Sequence, residues 1–269
     1  MLRVRRPLVL PLLLCLVLQP ARGDDPQRVV TLAPHLTELV FTVGAQARLV
    51  GVVDYSDFPP AAQDLPRIGD AFRFDYERIL TLEADLALAW RGGTPAQVGE
   101  ALEALGIELL WIDTRRLEQI PSALRQIGSA LGHHAGGARA ASRFETEVEA
   151  LRARLDPQAP TLAVFYQVSA RPLYTLGSRH ILNEVLALCG MRNIFDNLDV
   201  EAAVVDREAV IAADPDLILA PTGAGNPFSD WPRGSLDSIR RVEVDPDRLI
   251  RPTPRLLDGA RDLCQRGRP

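Results

Sequence analysis

The chain has 269 residues and a formal net charge of −5; 47% of its residues are hydrophobic and 24% are charged. This composition is typical of a globular protein and argues against disorder, and the acidic balance does not favour nucleic acid as a partner. All 30 basic residues are arginines, which excludes a lysine nucleophile, a Schiff-base lysine or a phosphate-loop lysine.

Residues 1–23 have the pattern of a secretory signal peptide. Three arginines precede a short apolar stretch, 7–18, and small residues at positions 21 and 23 suit a cleavage site. About a dozen apolar residues are too few to span a bilayer of about 30 Å as a helix. The segment therefore predicts an exported, periplasmic protein cleaved near Gly23. A retained membrane anchor is the alternative.

The next part of the chain alternates between β-rich and helical patterns. Strands are predicted at 28–32, 49–53, 84–90 and 107–112, and helices at 38–43, 76–82, 95–105 and 117–131. Such alternation builds a parallel sheet with helices on its faces. We assign residues 24–132 to an N-terminal lobe.

A long helical pattern follows within the segment 133–157. Residues 138–155 have high helix propensity and no helix breaker, whereas His133 and His134 are predicted to lie in a Gly/Ala turn. Apolar residues recur at helical spacing along one face: Phe144, Val148, Leu151 and Leu155. A long rigid helix would join two lobes, whereas a Gly/Ser linker would let them hinge.

The C-terminal lobe, 158–269, begins with a predicted strand and helix and then contains an internal repeat. Residues 77–89 align with 208–220 at a constant offset of 131, so that Glu77 matches Glu208 in the first turn of each helix. The alternative is that any helix–Asp–strand unit looks similar. The repeat predicts an α/β fold with two Rossmann-like lobes of mostly parallel sheets, joined by one long rigid helix.

The sequence lacks the motifs of serine hydrolases, phosphate loops, zinc proteases and Cys-x-x-Cys redox proteins. This favours a binding protein over an enzyme and predicts no cofactor, although an exported enzyme on a similar scaffold is an alternative. After removal of the signal segment two cysteines are left, Cys189 and Cys264, which could pair in an oxidising compartment. Two buried free thiols are the alternative.

Several of the few aromatic residues lie in predicted loops at strand ends. They are Tyr55, Phe72, Trp90, Tyr174 and Trp231. Ligands of open α/β sheets bind at the carboxyl ends of the strands, and aromatic faces there suit a large, flat or partly apolar ligand. The alternative for each is simple packing in a core or loop.

Four motifs resemble one known family. They are Thr31-Leu32-Ala33-Pro34 with Thr37-Glu38, Tyr55-Ser56-Asp57-Phe58-Pro59-Pro60, Trp90-Arg91-Gly92-Gly93 and Arg251-Pro252-Thr253-Pro254-Arg255. On these motifs the chain resembles the periplasmic cobalamin-binding proteins of vitamin importers, from about Arg28 to Cys264.

This resemblance implies a monomer that captures cobalamin, or another corrinoid, between its lobes and delivers it to an inner-membrane ABC permease dimer. It implies a disulfide between Cys189 and Cys264, and docking residues Glu77 and Glu208, one in each lobe. The implied ligand contacts are Tyr55 and the stretch formed by Asp247, Arg248, Leu249, Ile250 and Arg251. Phe72, Trp90 and Tyr174 complete the predicted ligand-binding set.

The sequence also departs from this family. Phe72 stands near the place of one expected tryptophan, whereas Ala202 and Arg248 stand at two others. His35 replaces a small residue in the turn after the first strand. Because imidazole is a good ligand for metals such as cobalt, His35 is a candidate cobalt ligand; a loop histidine facing solvent or the cleft wall is the alternative. A binding protein for haem or a ferric siderophore is the alternative function.

Overall fold

The computed structural model describes residues 27–70, 72–223, 227–229, 231 and 239–267. The predicted signal segment, 1–23, lies outside these ranges. Within them, no helix combines the length and the apolar character that crossing a membrane requires.

The first half of the described chain forms a four-stranded sheet. Its strands are β1 (Val29–Thr31), β2 (Leu49–Val52), β3 (Leu86–Trp90) and β4 (Glu108–Ile112). Its helices are α1 (Pro34–Val43), α2 (Tyr76–Thr81), α3 (Ala96–Ala104) and α4 (Gln119–Ala130). The strand order is β2-β1-β3-β4 and every neighbouring pair is parallel. Because parallel strands run in one direction, their carboxyl ends share one edge of the sheet.

A long helix, α5 (His134–Arg152), leads to a second parallel sheet. The strands of the second half are β5 (Leu162–Tyr166), β6 (Ser169–Ala170), β7 (Leu173–Leu176), β8 (Met191–Asn193), β9 (Ala202–Val204), β10 (Leu217–Pro221) and β11 (Arg240–Val244). Its helices are α6 (Leu182–Ala187), α7 (Arg207–Ala212), α8 (Pro246–Leu249) and α9 (Leu256–Gly267). The parallel order is β11-β10-β5-β8, and β6-β7-β9 form a small antiparallel sheet beside it.

The predicted fold class, two α/β lobes with mostly parallel sheets joined by a long helix, is confirmed. One buried hydrophobic cluster runs from α1 and α4 through α5 to α6 and α9, so the lobes share part of their core. The small antiparallel sheet is an addition that the sequence patterns do not predict. It contains Tyr174, which therefore lies in a strand and not in the predicted loop.

Helix α5 begins earlier than its sequence pattern predicts. His134 is its first residue, so the predicted Gly/Ala turn is wrong. The reason is close helix packing: a Cβ on Gly136 would lie 2.0 Å from the carbonyl oxygen of Val43, and one on Gly137 would lie 2.6 Å from that of Leu124. These glycines act as contact points with α1 and α4, where a larger residue would push the helices apart.

The internal repeat has the same geometry in both lobes. Asp75 and Asp206 cap α2 and α7, each accepting a hydrogen bond from a backbone N–H three residues later. Glu83 and Asp214, again 131 residues apart, have φ angles of +51° and +46°. Left-handed backbone is uncommon outside glycine, so two matching instances support a true structural repeat.

The predicted disulfide between Cys189 and Cys264 is confirmed. It ties the end of α6 to α9 across a sequence separation of 75 residues. Because a cross-link restricts the unfolded chain, we expect Cys189→Ala with Cys264→Ala to lower the free energy of unfolding by about 2–4 kcal/mol. Urea denaturation with and without reductant measures this loss. Equal midpoints for the double variant and the oxidised wild type would contradict it.

Candidate functional site

The carboxyl ends of the two parallel sheets face each other across a cleft. On the N-terminal side, Tyr55 follows β2 and Trp90 ends β3. On the C-terminal side, Asp247 lies in α8, directly after β11, and Arg251 follows that helix. Because all the strands of each sheet are parallel, residues distant in sequence meet at this cleft.

One edge of the cleft is closed by a buried ion-pair cluster between the lobes. Glu38 of α1 is only 3% exposed. Its carboxylate accepts hydrogen bonds from Arg251 Nη1 at 2.8 Å, from Arg255 Nη2 at 2.9 Å and from Arg255 Nε at 3.0 Å. A carboxylate buried this deeply requires such donors, because burying an unpaired charge is costly.

The same two arginines contact further residues of the cleft. Arg251 donates to Asp57 at 2.9 Å and to Asp247 at 2.7 Å, and the Arg255 guanidinium lies 3.7 Å from the ring centroid of Phe58. We call Glu38, Asp57, Asp247, Arg251 and Arg255 the interlobe clasp. Burial raises the pKa of Asp247, and the Arg251 charge partly offsets this effect. The clasp holds the loop after β2 against the C-terminal lobe.

The five side chains of the predicted contact stretch, 247–251, lie in different surroundings. Asp247 and Arg251 belong to the clasp. Leu249 is 1% exposed and packs in the main hydrophobic core, and Ile250 packs against that core while partly buried. Arg248 is exposed and lies beside α9, next to Gly259. The stretch thus brings two side chains, rather than five, toward the other lobe.

Two of the predicted aromatic residues are strongly exposed. Tyr55 is 79% exposed and Phe72 is 86% exposed. Tyr55 also has a left-handed backbone with φ of +63°, and such conformations concentrate at binding sites. Large aromatic side chains left open to water are typical of surfaces that a ligand or partner covers.

The other predicted aromatics differ in their surroundings. Trp90 and Tyr174 are half-buried. Trp231 is 7% exposed, packs against Phe165 and donates its indole N–H to Gln167 at 2.7 Å. Its core-packing interpretation is therefore correct, and Trp231 does not belong to the cleft surface. Its burial depends on tertiary contacts that a Pro/Gly-rich local sequence does not reveal.

The Trp90-Arg91-Gly92-Gly93 motif wraps the chain around an indole ring. A Cβ on Gly92 would lie 2.6 Å from the Trp90 ring, and one on Gly93 would lie 2.3 Å from it. The two glycines therefore let the backbone turn closely around Trp90. Its indole N–H is buried beneath this turn and has no hydrogen-bond partner among the described residues.

His35 does not lie in the predicted turn. Pro34 starts α1 and His35 occupies its first turn, where it is 4% exposed. Its ring contacts that of Trp90 edge-on at 5.0 Å, and Nε2 lies 3.4 Å from Thr114 Oγ1. Burial lowers the pKa of His35 to about 3. Coordination of cobalt in the cleft would therefore require this packing to change. In the structure His35 packs against the Trp90 ring.

The other end of the cleft holds an arginine-lined cavity of about 530 Å³. Arg91 and Arg115 approach it from the N-terminal lobe, and Arg179 and His180 approach it from the C-terminal lobe. The sequence analysis contains no prediction of this cavity. Two local signals exist: Arg91 directly follows the strand predicted at 84–90, and Arg115-Arg116 come shortly after the strand predicted at 107–112, so both lie at carboxyl ends.

His180 is held neutral in this cavity. Its Nδ1 accepts a hydrogen bond from the Leu182 backbone N–H at 3.0 Å, and burial lowers its pKa to about 4. The unfolded chain has the ordinary value of about 6.5 and binds a proton first. The contribution of His180 to stability is therefore fully present above pH 6.5 and falls by about 1.4 kcal/mol per pH unit between 6.5 and about 4, and buried His35 adds a similar loss.

We expect His180→Asn, which keeps an acceptor near Nδ1, to make this acid dependence less steep by about 1.4 kcal/mol per pH unit, since only the loss from His35 is left. Urea denaturation of both proteins between pH 7 and pH 4.5 measures the difference in slope. Parallel curves for the variant and the wild type would contradict the neutral state of His180.

The two predicted docking glutamates lie at matching places in the repeat. Glu77 is the second residue of α2 and Glu208 is the second residue of α7, and both are exposed. Within the described residues neither forms an ion pair within 4.0 Å. Their carboxylates are therefore open to an external partner.

Two α/β lobes that share a long helix and meet across a cleft at the carboxyl ends of their parallel sheets have the architecture of a two-lobed solute-binding protein. The periplasmic binding protein family model matches residues 29–230. The chain belongs to this family, whose members are binding proteins.

Alignments with curated relatives cover about nine-tenths of the chain. A vitamin B12-binding protein of Pectobacterium carotovorum is 35% identical over 243 residues, which cover 89% of this chain and 87% of the relative. One from Vibrio cholerae is 32% identical over 250 residues, covering 91% of this chain and 90% of the relative.

Solved structures agree with this family assignment. The periplasmic vitamin B12 binding protein of Vibrio cholerae superposes with a TM-score of 0.81 at 32% identity, covering 89% of this chain and 96% of that chain. The periplasmic haem-binding protein from Roseiflexus sp. RS-1 has a TM-score of 0.75 at 25% identity, covering 89% and 97%. The same architecture therefore serves more than one large planar ligand.

Proposed function

We propose that this protein captures cobalamin or a related corrinoid in the cleft between its lobes and delivers it to an inner-membrane ABC importer. The main support for this proposal is the similarity to vitamin B12-binding proteins over about nine-tenths of the chain. The exposed rings of Tyr55 and Phe72 agree with a ligand that offers a broad, partly apolar face.

In this proposal Tyr55, Phe72, Trp90 and Tyr174 supply aromatic contact surface. Asp247 and Arg251 set the spacing of the lobes through the clasp, since most of their polar atoms already have partners. The cleft is therefore shaped before the ligand arrives, which reduces the ordering cost of binding.

Export, docking and assembly belong to the same proposal. The segment 1–23 directs the chain to the periplasm and is cleaved near Gly23, and the free protein is a monomer. Glu77 and Glu208 each meet one subunit of a permease dimer. Two equivalent acidic positions on a pseudo-symmetric surface suit a two-fold symmetric partner.

Haem is the second candidate ligand, supported by the Roseiflexus structure at 25% identity. Isothermal titration of the purified protein with cyanocobalamin, dicyanocobinamide and haemin separates the two. Binding of either corrinoid at one per chain, with no haemin binding, is the expected result. Haemin binding alone would overturn the proposal in favour of haem.

Tyr55→Ala should weaken corrinoid binding by about 1–3 kcal/mol, because it removes exposed aromatic contact area. The matched control is Leu105→Ala, which also removes an exposed apolar side chain, 41% exposed, but at the amino end of β4, away from the cleft. Titration calorimetry of both variants measures the effect. Equal affinities for the two would exclude Tyr55 from the binding surface.

A further inference from the structure

The loop that follows β2, residues 54–58, carries Tyr55 in an unusual backbone conformation. Tyr55 has a φ angle of +63° and is 79% exposed, so its own side chain does little to hold the turn in place. A left-handed backbone is uncommon for an aromatic residue and persists only where surrounding contacts determine it. The groups that hold this segment, which we call the Tyr55 loop, therefore decide where the ring lies.

The N-terminal lobe holds the first part of the Tyr55 loop. Ser56 is 1% exposed, and its hydroxyl accepts a hydrogen bond from the Thr37 hydroxyl of α1 at 3.1 Å. Arg67 Nη1 donates to the backbone oxygens of Val53 and Ser56 at 3.2 and 3.1 Å. These bonds lie on both sides of Tyr55, so its own lobe fixes the loop as far as Ser56.

Two arginines of the C-terminal lobe hold the second part of the loop. Arg251 Nη1 donates to the Asp57 carboxylate at 2.9 Å, and the Arg255 guanidinium lies 3.7 Å from the ring centroid of Phe58. A guanidinium over an aromatic face is attracted by the ring, and more strongly where water is excluded. The Arg255 side chain is only 19% exposed, so this contact is well shielded from water.

Glu38 fixes the plane of the Arg255 guanidinium. Nε and Nη2 of Arg255 both donate to the Glu38 carboxylate, at 3.0 and 2.9 Å, and such a paired contact sets the orientation of both groups. The edge of the guanidinium is thus used by Glu38, and its face is left for Phe58. Because Glu38 and Phe58 both belong to the N-terminal lobe, Arg255 bridges α1 and the Tyr55 loop from the opposite lobe.

We propose that Phe58 and Arg255 are positioning residues for Tyr55, which hold its ring at the cleft without touching the ligand themselves. The inference rests on the proposed function, and it adds that the C-terminal lobe completes a binding element of the N-terminal lobe. The Tyr55 loop is fully held only while the lobes are together, since the arginine enters from the other lobe. Ligand affinity therefore depends on the contact between Phe58 and Arg255.

A double-mutant cycle separates positioning from direct contact with the ligand. Isothermal titration with cyanocobalamin compares the wild type, Phe58→Leu, Tyr55→Ala and the double variant. Phe58→Leu should weaken binding about fivefold when Tyr55 is present, as expected for the loss of one cation–π contact, and by at most about twofold when residue 55 is already alanine. Phe58→Tyr keeps an aromatic face for Arg255 and should retain the affinity.

An equal loss in both backgrounds would show that Phe58 acts independently of Tyr55 and would overturn the inference. No loss in either background would overturn it as well. A general loss of folding would lower the affinity in both backgrounds alike, so it cannot imitate the expected result.

Hydrogen exchange followed by mass spectrometry tests the same contact without a ligand. The reporters are the Asp54 and Ser56 amides, which donate to the carbonyl oxygens of Gly69 and Val53 at 2.8 and 3.3 Å. Phe58→Leu should speed their exchange at least about threefold and leave the buried strand β3 unchanged, because a loop can open locally. Unchanged exchange in the loop, or equally faster exchange in β3, would overturn the inference.

The two measurements also separate this inference from the proposed function. A wild-type protein that binds no corrinoid would overturn the proposed function, and the exchange of the Tyr55 loop would then decide the positioning role. Corrinoid binding by the wild type, with additive losses in the cycle, would overturn the positioning role alone.

Discussion

Reversing the charges of Glu77 and Glu208 together should abolish delivery of the ligand to the importer and leave ligand binding intact. Both side chains are exposed in the first turns of α2 and α7, so their local role is limited to a helix-dipole contribution of about 0.3–1 kcal/mol. A symmetric partner would offer one basic patch to each lobe, and placing like charges in contact costs several kcal/mol. The effect is large because both contacts form in one docking event.

Uptake by vesicles that contain the importer, with Glu77→Arg and Glu208→Arg present singly and together, measures this effect. The matched control is Glu100→Arg with Glu103→Arg, which makes the same charge change on the exposed face of α3. Wild-type uptake by the docking double variant would refute the assignment. Loss of ligand binding in that variant would show that cleft and docking surface are not separate.

Replacing Glu38 by Gln should lower the free energy of unfolding by about 3–5 kcal/mol, because Arg251 and Arg255 are then left partly buried without their shared carboxylate. The two arginine side chains are 12% and 19% exposed. For a chain of this size the melting temperature should fall by at least about 6 °C.

The matched control for this prediction is Glu145→Gln. Glu145 also accepts two hydrogen bonds from one arginine, but both side chains of that pair are nearly half exposed. An exposed pair contributes at most about 1 kcal/mol. Differential scanning calorimetry of both variants measures the contrast. Equal melting temperatures would mean that the interlobe clasp contributes no more than a surface ion pair.

Most secondary structure could be predicted locally, because each element has its own pattern. The first four strands agree with the predicted ones to within two residues, since short β-rich runs alternate with amphipathic stretches. The start of α5 could not be predicted in this way. Gly136 and Gly137 are poor helix formers locally, and they are helical because α1 and α4 pack against their bare backbone.

The candidate site was only partly predictable for a similar reason. Tyr55 and Phe72 could be selected because aromatic residues beside turn-forming sequence after a strand are unusual. The direction in which each side chain of the stretch 247–251 points could not be predicted from the sequence. Asp247 and the following Arg251 lie on the side of the other lobe, whereas Leu249 points into the core, because residues two apart in a helix differ in direction by about 200°.

The sequence by itself predicted the α/β class and the internal repeat, and its resemblance to a known family predicted the disulfide and the family. These properties depend on local patterns, motif spacing and residue counts, which can be recognised in the sequence alone. Only the tertiary structure decided that Glu38 meets Arg251 and Arg255, more than 200 residues away, and that arginines of both lobes gather in one cavity. The physical reason is that parallel strands bring distant loops to one edge, and the lobes then set which of those loops face each other.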